Sequence, residues 1–158
     1  MSATPQTANV SMPASCWINY VHEALNEVFG MMLGMTVTPS ENSTIQAEVT
    51  AIVGLAGTLC GLFTIRCSRQ AGCKMAEKML GTPECEDQLM DALGEIGNMM
   101  AGSFKSRIPG MADTCMLSIP TTIAGADYHV HTLSGGKRFE TVVKCDDQLL
   151  QVILHVNS

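Results

Sequence analysis

The stretch ALGEIGNMMAGSFKS, residues 92–106, reads as a helix although it carries Gly94, Gly97 and Gly102. Each interior helical glycine costs roughly 1 kcal/mol against alanine. Between the glycines stand Glu95 and Asn98, three apart and therefore on one helical face. An earlier stretch, ALNEVFGMMLG at 24–34, overlays it: Glu27 falls on Glu95, Met31 and Met32 on Met99 and Met100, and Gly34 on Gly102. Each helix precedes strand segments, and LCGLFTIRC at 59–67 is similar to LLQVILHV at 149–156. Two copies of one unit, neither able to bury its apolar face alone, would pair about a pseudo-twofold axis.

The copies differ in polarity. Asn98 of the second corresponds to Gly30 of the first, so only one copy holds both a carboxylate and an amide. Glu23 and Asn26 repeat the spacing one turn earlier but out of register, and read as solvated helix surface.

Working outward, Ser15 can cap a helix over 16–33, with Ile18, Val21, Leu25, Val28, Phe29 and Met32 at helical spacing and Trp17 as a packed anchor. TPSENS is a turn-rich connector. Strands follow over 44–54 and 58–67, joined through GLAG as an antiparallel hairpin. Residues 68–80 read as a helix stopped by Gly81, and 84–107 as the long helix, opened by Pro83 and ended by Pro109–Gly110. DTCMLSIPTTIAG reads as one extended segment and DYHVHTL as another; FETVVKC and LLQVILHV form a hairpin across Asp146–Asp147. The expected fold is an α/β (α+β) sandwich of antiparallel hairpins and long helices, internally duplicated, with halves over about 15–80 and 84–158 behind a disordered tail at 1–14.

Composition narrows the function classes. The 158 residues are 46% hydrophobic and only 15% charged, with a net charge of −6 and no cluster of lysine or arginine. Nucleic acid and anionic membranes are poor partners for such a surface. The longest apolar run, AIVGLAGTLCGLF, is too short to span a bilayer, and no signal peptide is expected, which suggests a cytoplasmic protein. The seven cysteines are odd in number, form no C-x-x-C pair and lack zinc spacing, so they read as reduced thiols rather than as a redox or metal sensor. His129 and His131 read as surface histidines, and no metal site is expected. The twelve methionines suit core and helix interfaces.

The run DALGEIGNMMAGSFKSRIPG followed by MLSIPTTIAGADYHV resembles the CheX branch of the CheC/CheX/FliY chemotaxis phosphatases. Asp91, Glu95 and Asn98 match that family's helical motif, and Pro120 arrives one residue early on a strict count of its proline. The single complete motif also resembles the CheX pattern, since CheC-type members often carry two. The resemblance implies a CheC-like fold and dephosphorylation of a CheY-type response regulator, whose aspartyl phosphate and Mg²⁺ belong to the partner, with no cofactor of the chain's own. It implies that Glu95 pairs with the regulator's lysine and Asn98 orients the attacking water. A homodimer joined through sheet edges is expected on the same ground, with the last strand as the pairing edge. Asp91, Gly94, Gly97 and Pro120 are the expected docking residues; Gly94 and Gly97 would let the helix approach the partner, whereas Gly102 reads as a packing glycine. The alternative is a module of the same fold that binds a receiver or a flagellar switch component without hydrolysis. The presence of Asn98 favours the enzyme.

Overall fold

The computed structural model describes residues 13–157 apart from 43, 84, 85, 112, 129 and 131–135. The expectations for the tail at 1–12, for Cys85 and for His129 and His131 lie outside the described residues. The elements are α1 (Ala14–Leu25), a π-helical segment (Asn26–Met32), β1 (Val37–Pro39), β2 (Val49–Gly57), β3 (Cys60–Cys67), α2 (Arg69–Leu80), a 3-10 turn (Glu86–Gln88), α3 (Leu89–Arg107), β4 (Cys115–Leu117), β5 (Thr121–Ala124), β6 (Lys137–Cys145) and β7 (Gln148–Asn157).

The strands form one antiparallel sheet in the order β1-β6-β7-β3-β2-β4, with β5 also pairing β2 beyond β4. Alternation sends Val49, Ala51, Val53, Phe63, Ile65, Leu150, Val152 and Leu154 to one face, where all are buried. The three helices cover that face, giving a two-layer α/β sandwich with α3 between α1 and α2. Trp17 anchors α1 as expected: it is fully buried, with its ring 6.2 Å from both Phe104 of α3 and Phe139 of β6. On the opposite face a polar ladder crosses the strands. Arg66 lies under the Tyr128 ring and donates to Gln151 (3.1 Å), and Gln151 donates to Glu140 (3.3 Å).

Local chemistry sets most element ends. Ser68 Oγ accepts from the Ala71 amide at 3.0 Å to cap α2, and Gly81 closes it in the left-handed conformation. The β6–β7 hairpin turns at Asp146–Asp147, with Asp146 at φ 54°. Other boundaries differ from the sequence expectation. The first helix begins at Ala14 after Pro13, so Ser15 is not its cap. It also does not stay α-helical to residue 33. Over Asn26–Met32 it widens to a π-helix, and the Leu33 amide bonds the Val28 carbonyl at 2.9 Å. The extra residue per turn places Leu33 rather than Met32 in the core; Met32 is 58% exposed and Met31 82%.

The first hairpin turns three residues later than GLAG suggests. Leu55 already pairs Gly61, and the reversal falls at 57–59, where Gly57 takes φ 122°. Any Cβ there would lie 2.1 Å from the Thr114 carbonyl oxygen. DTCMLSIPTTIAG is two short strands rather than one, broken at 118–120. Residues 127, 128 and 130 are not strand, and β1 takes in Thr38 and Pro39, the first two residues of the TPSENS connector. The last strand is not an edge: β7 is paired on one side to β6 and on the other to β3. Pairing of two chains through β7 is therefore excluded, and among the described residues the free edges are β1 and β4–β5.

Candidate active site

The long helix carries its polarity on a narrow stripe. Leu89, Leu93, Ile96, Met100 and Phe104 enter the core at helical spacing. Asp91 and Glu95, one turn apart on the other side, are exposed, and Asn98 follows at half-burial. Among the described residues none bonds to any of these three side chains. The stripe thus presents two carboxylates and an amide with their hydrogen-bonding capacity unused. Asn98 lies one turn beyond Gly94, on the flank that faces the β4–β5 edge.

The glycines serve a different approach from the one expected. Gly94 and Gly97 are both buried. A Cβ on Gly97 would lie 3.2 Å from Ala51 Cβ and 3.7 Å from Val53 Cγ2 on β2; one on Gly94 would lie 3.3 Å from Thr122 Cγ2 and 3.6 Å from Pro120 Cγ. They let α3 lie close on its own sheet, so neither offers a docking surface. Gly102, expected to be the packing glycine, has only Leu117 Cδ1 at 3.9 Å from the same position. Pro120 does come to the motif, but as the residue that packs over Gly94.

Two further contacts fix the helix. Lys105 Nζ donates to the Cys115 carbonyl at 2.7 Å, tying α3 to β4. Arg107 donates to the Glu27 carboxylate, which also accepts from Ser103 Oγ at 3.1 Å, and Glu23 lies 3.7 Å from the same guanidinium. Glu23 is therefore part of an ion pair rather than free helix surface. Glu27, the counterpart of Glu95 in the sequence overlay, is held by Arg107 and Ser103 while Glu95 stands free.

Sequence reasoning missed Ser118. Its amide donates to the Gly54 carbonyl at 2.9 Å and its Oγ accepts from the Gly54 amide at 2.7 Å, pinning the break between β4 and β5 to β2. A serine before Ile-Pro inside an extended run was the available signal. No group of three or more His, Cys, Asp or Glu side chains among the described residues could hold a metal ion.

An antiparallel sheet under three helices is the fold of CheC-like proteins. The sequence pattern of the family described as chemotaxis phosphatase CheX matches residues 49–144, and the chain belongs to that family. It is similar to the CheY-P phosphatase CheX of Thermotoga maritima, at 25% identity over 118 residues, covering 72% of this chain and 76% of that protein. Among solved structures, the chemotaxis protein CheX from Vibrio vulnificus superposes with a TM-score of 0.76 at 16% identity, over 93% of this chain and 100% of the other. CheX in a CheX–CheY–BeF₃–Mg²⁺ complex from Borrelia burgdorferi superposes with a TM-score of 0.72 at 19% identity, over 90% and 98%.

Proposed function

We propose that this chain docks a phosphorylated receiver domain of the CheY type and hydrolyses its aspartyl phosphate. The observation that carries the reading is the free Glu95–Asn98 pair on the outward stripe of α3, in a family of chemotaxis phosphatases. Hydrolysis of an acyl phosphate needs a water placed in line and managed charge more than covalent help. The Asn98 carbonyl accepts a hydrogen bond from that water while its NH₂ donates to a phosphoryl oxygen, and the amide adds no negative charge. Water oxygen bonds phosphorus, the bond to the aspartyl oxygen breaks, and inorganic phosphate leaves with the proton. Glu95 pairs with a lysine at the receiver's phosphorylation site and fixes the docked pose. Asp91, one turn away, adds to the negative face. Mg²⁺ belongs to the receiver, where it neutralises phosphoryl charge. The CheX–CheY–BeF₃–Mg²⁺ complex of the Borrelia burgdorferi relative supports this division of labour.

Two further parts of the reading concern assembly. The strand order supports an internal duplication: each half contributes one hairpin, β2–β3 or β6–β7, and edge strands (β1 from the first half, β4 and β5 from the second) that pair on the other half's hairpin. A homodimer in the cytoplasm, joined through the β1 edge, would leave both α3 stripes open, because β1 lies at the opposite end of the sheet from β4–β5. Sedimentation equilibrium checks this, since a concentration-independent species at 16.9 kDa excludes it. The test of the function is the decay of a phosphorylated receiver with and without this chain. Acceleration is expected, and unchanged decay with intact binding would leave only a docking module.

A further inference from the structure

Ile119 is 88% exposed, the most exposed of the large apolar side chains among the described residues. It does not sit on a loose loop. Ser118 before it is bonded twice to Gly54, and Pro120 after it packs over Gly94. Ser118 Oγ also donates to the Ile119 carbonyl at 3.1 Å. The break between β4 and β5 therefore holds an isoleucine outward on a rigid support. Met116, two-thirds exposed at 67%, stands three residues earlier on the same sheet edge.

Position supplies the reason for this display. Pro120 touches α3 at Gly94, one turn from Asn98 and on the same helical face. Ile119 is the next residue along the chain, about 3.8 Å further between Cα atoms. A standard protein interface covers about 800 Å² on each partner, a disc of roughly 16 Å radius. A domain that brings a phosphoaspartate to Asn98 over a footprint of that size reaches the β4–β5 edge that carries Ile119. A small phosphorylated molecule would not reach it.

We propose that Ile119 is a specificity-determining contact, an apolar anchor that seats the receiver domain beside its phosphorylation site and sets affinity without taking part in the chemistry. The proposal rests on the receiver-phosphatase reading above. Burial of Ile119 is paid for only in the docked complex, so its loss should act on association. The polar stripe beside it fixes charge, and the isoleucine supplies the desolvated contact.

The test uses the full chain with Ile119→Ser and Ile119→Leu, and two measurements: turnover of a phosphorylated CheY-type receiver, and affinity for the same receiver loaded with beryllofluoride and Mg²⁺. Ile119→Ser should raise KM and Kd about tenfold with kcat unchanged, while Ile119→Leu stays within about twofold of the parent. An unchanged Kd for Ile119→Ser, or a loss confined to kcat, overturns the proposal. The affinity arm keeps the two readings separate. A parent chain that binds the loaded receiver without accelerating hydrolysis refutes the phosphatase reading, and the Kd of Ile119→Ser still decides the role of Ile119. A parent chain that does not bind the receiver refutes both.

Discussion

Arg107 of α3 holds Glu27, the acidic residue of the first helix that overlays Glu95 in the second. One glutamate is thereby committed to joining the π-helical segment to α3, while the other bonds to none of the described residues. The pair is part-buried and reinforced by Ser103, so it exceeds a solvent-exposed ion pair in worth. Glu27→Ala is expected to cost about 1–2 kcal/mol of stability, seen as a lower midpoint in urea denaturation. Turnover at saturating receiver should stay within about twofold, since Glu27 has no place in the chemistry. A variant of unchanged stability and lost turnover would contradict the division between the two glutamates.

Glu95 should behave differently. Glu95→Gln keeps the side chain's shape but removes the charge proposed to meet the receiver's lysine. Affinity for a beryllofluoride-loaded receiver should fall about tenfold or more, in titration calorimetry at fixed ionic strength, with melting temperature unchanged. Loss of turnover at constant affinity would place Glu95 in the chemical step instead.

The glycines of α3 are a matter of stability. Gly97 faces Ala51 and Val53 on β2, strand residues that cannot retreat far. Gly97→Val should destabilise by about 1–3 kcal/mol through overpacking. Thermal unfolding measures this directly, and a fully stable Gly97→Val would mean that the glycine is not there for the sheet.

The buried thiols add a pH dependence. Burial pushes the Cys67 thiol up to about 12, with the neighbouring Cys145, Cys73 and Glu48 adding to it, and pushes Cys145 up to about 12 as well. An unfolded thiol ionises near about 8.5. Above that pH the unfolded chain releases protons that the folded chain keeps, so stability is lost as pH rises from about 8.5 towards 12, by roughly 2 kcal/mol per thiol at pH 10. Below about 8.5 the contribution is fully present. Urea midpoints at pH 8 and pH 10 should show the fall, and Cys67→Ala with Cys145→Ala should reduce it. At pH 8 the exposed Cys60 should react with a thiol reagent while Cys67 and Cys145 wait for unfolding.

Much of this architecture is written locally. Ser68 and Gly81 delimit α2, Asp146–Asp147 turns the last hairpin, and Pro109–Gly110 follow the end of α3, because caps and turns depend on a few neighbouring residues. What was not legible depends on distant partners. The π-helical turn, which puts Leu33 rather than Met32 in the core, is not signalled by the 3.6-residue spacing of the sequence. The split of β4 from β5 depends on Gly54, 64 residues before Ser118. The interior place of β7 is a property of sheet order, which period-2 alternation cannot reveal. The stripe of Asp91, Glu95 and Asn98 was legible from spacing and family resemblance, whereas the direction of Gly94 and Gly97 required the sheet beneath them.

Asn98 carries the central claim. The most direct measurement is the single-turnover decay of a phosphorylated CheY-type receiver in the presence of saturating parent chain or saturating Asn98→Ala. The parent should accelerate decay, and Asn98→Ala should lose at least about a hundredfold of that acceleration while melting and binding the loaded receiver as the parent does. A well-folded, receiver-binding Asn98→Ala that retains most of the acceleration would contradict the account.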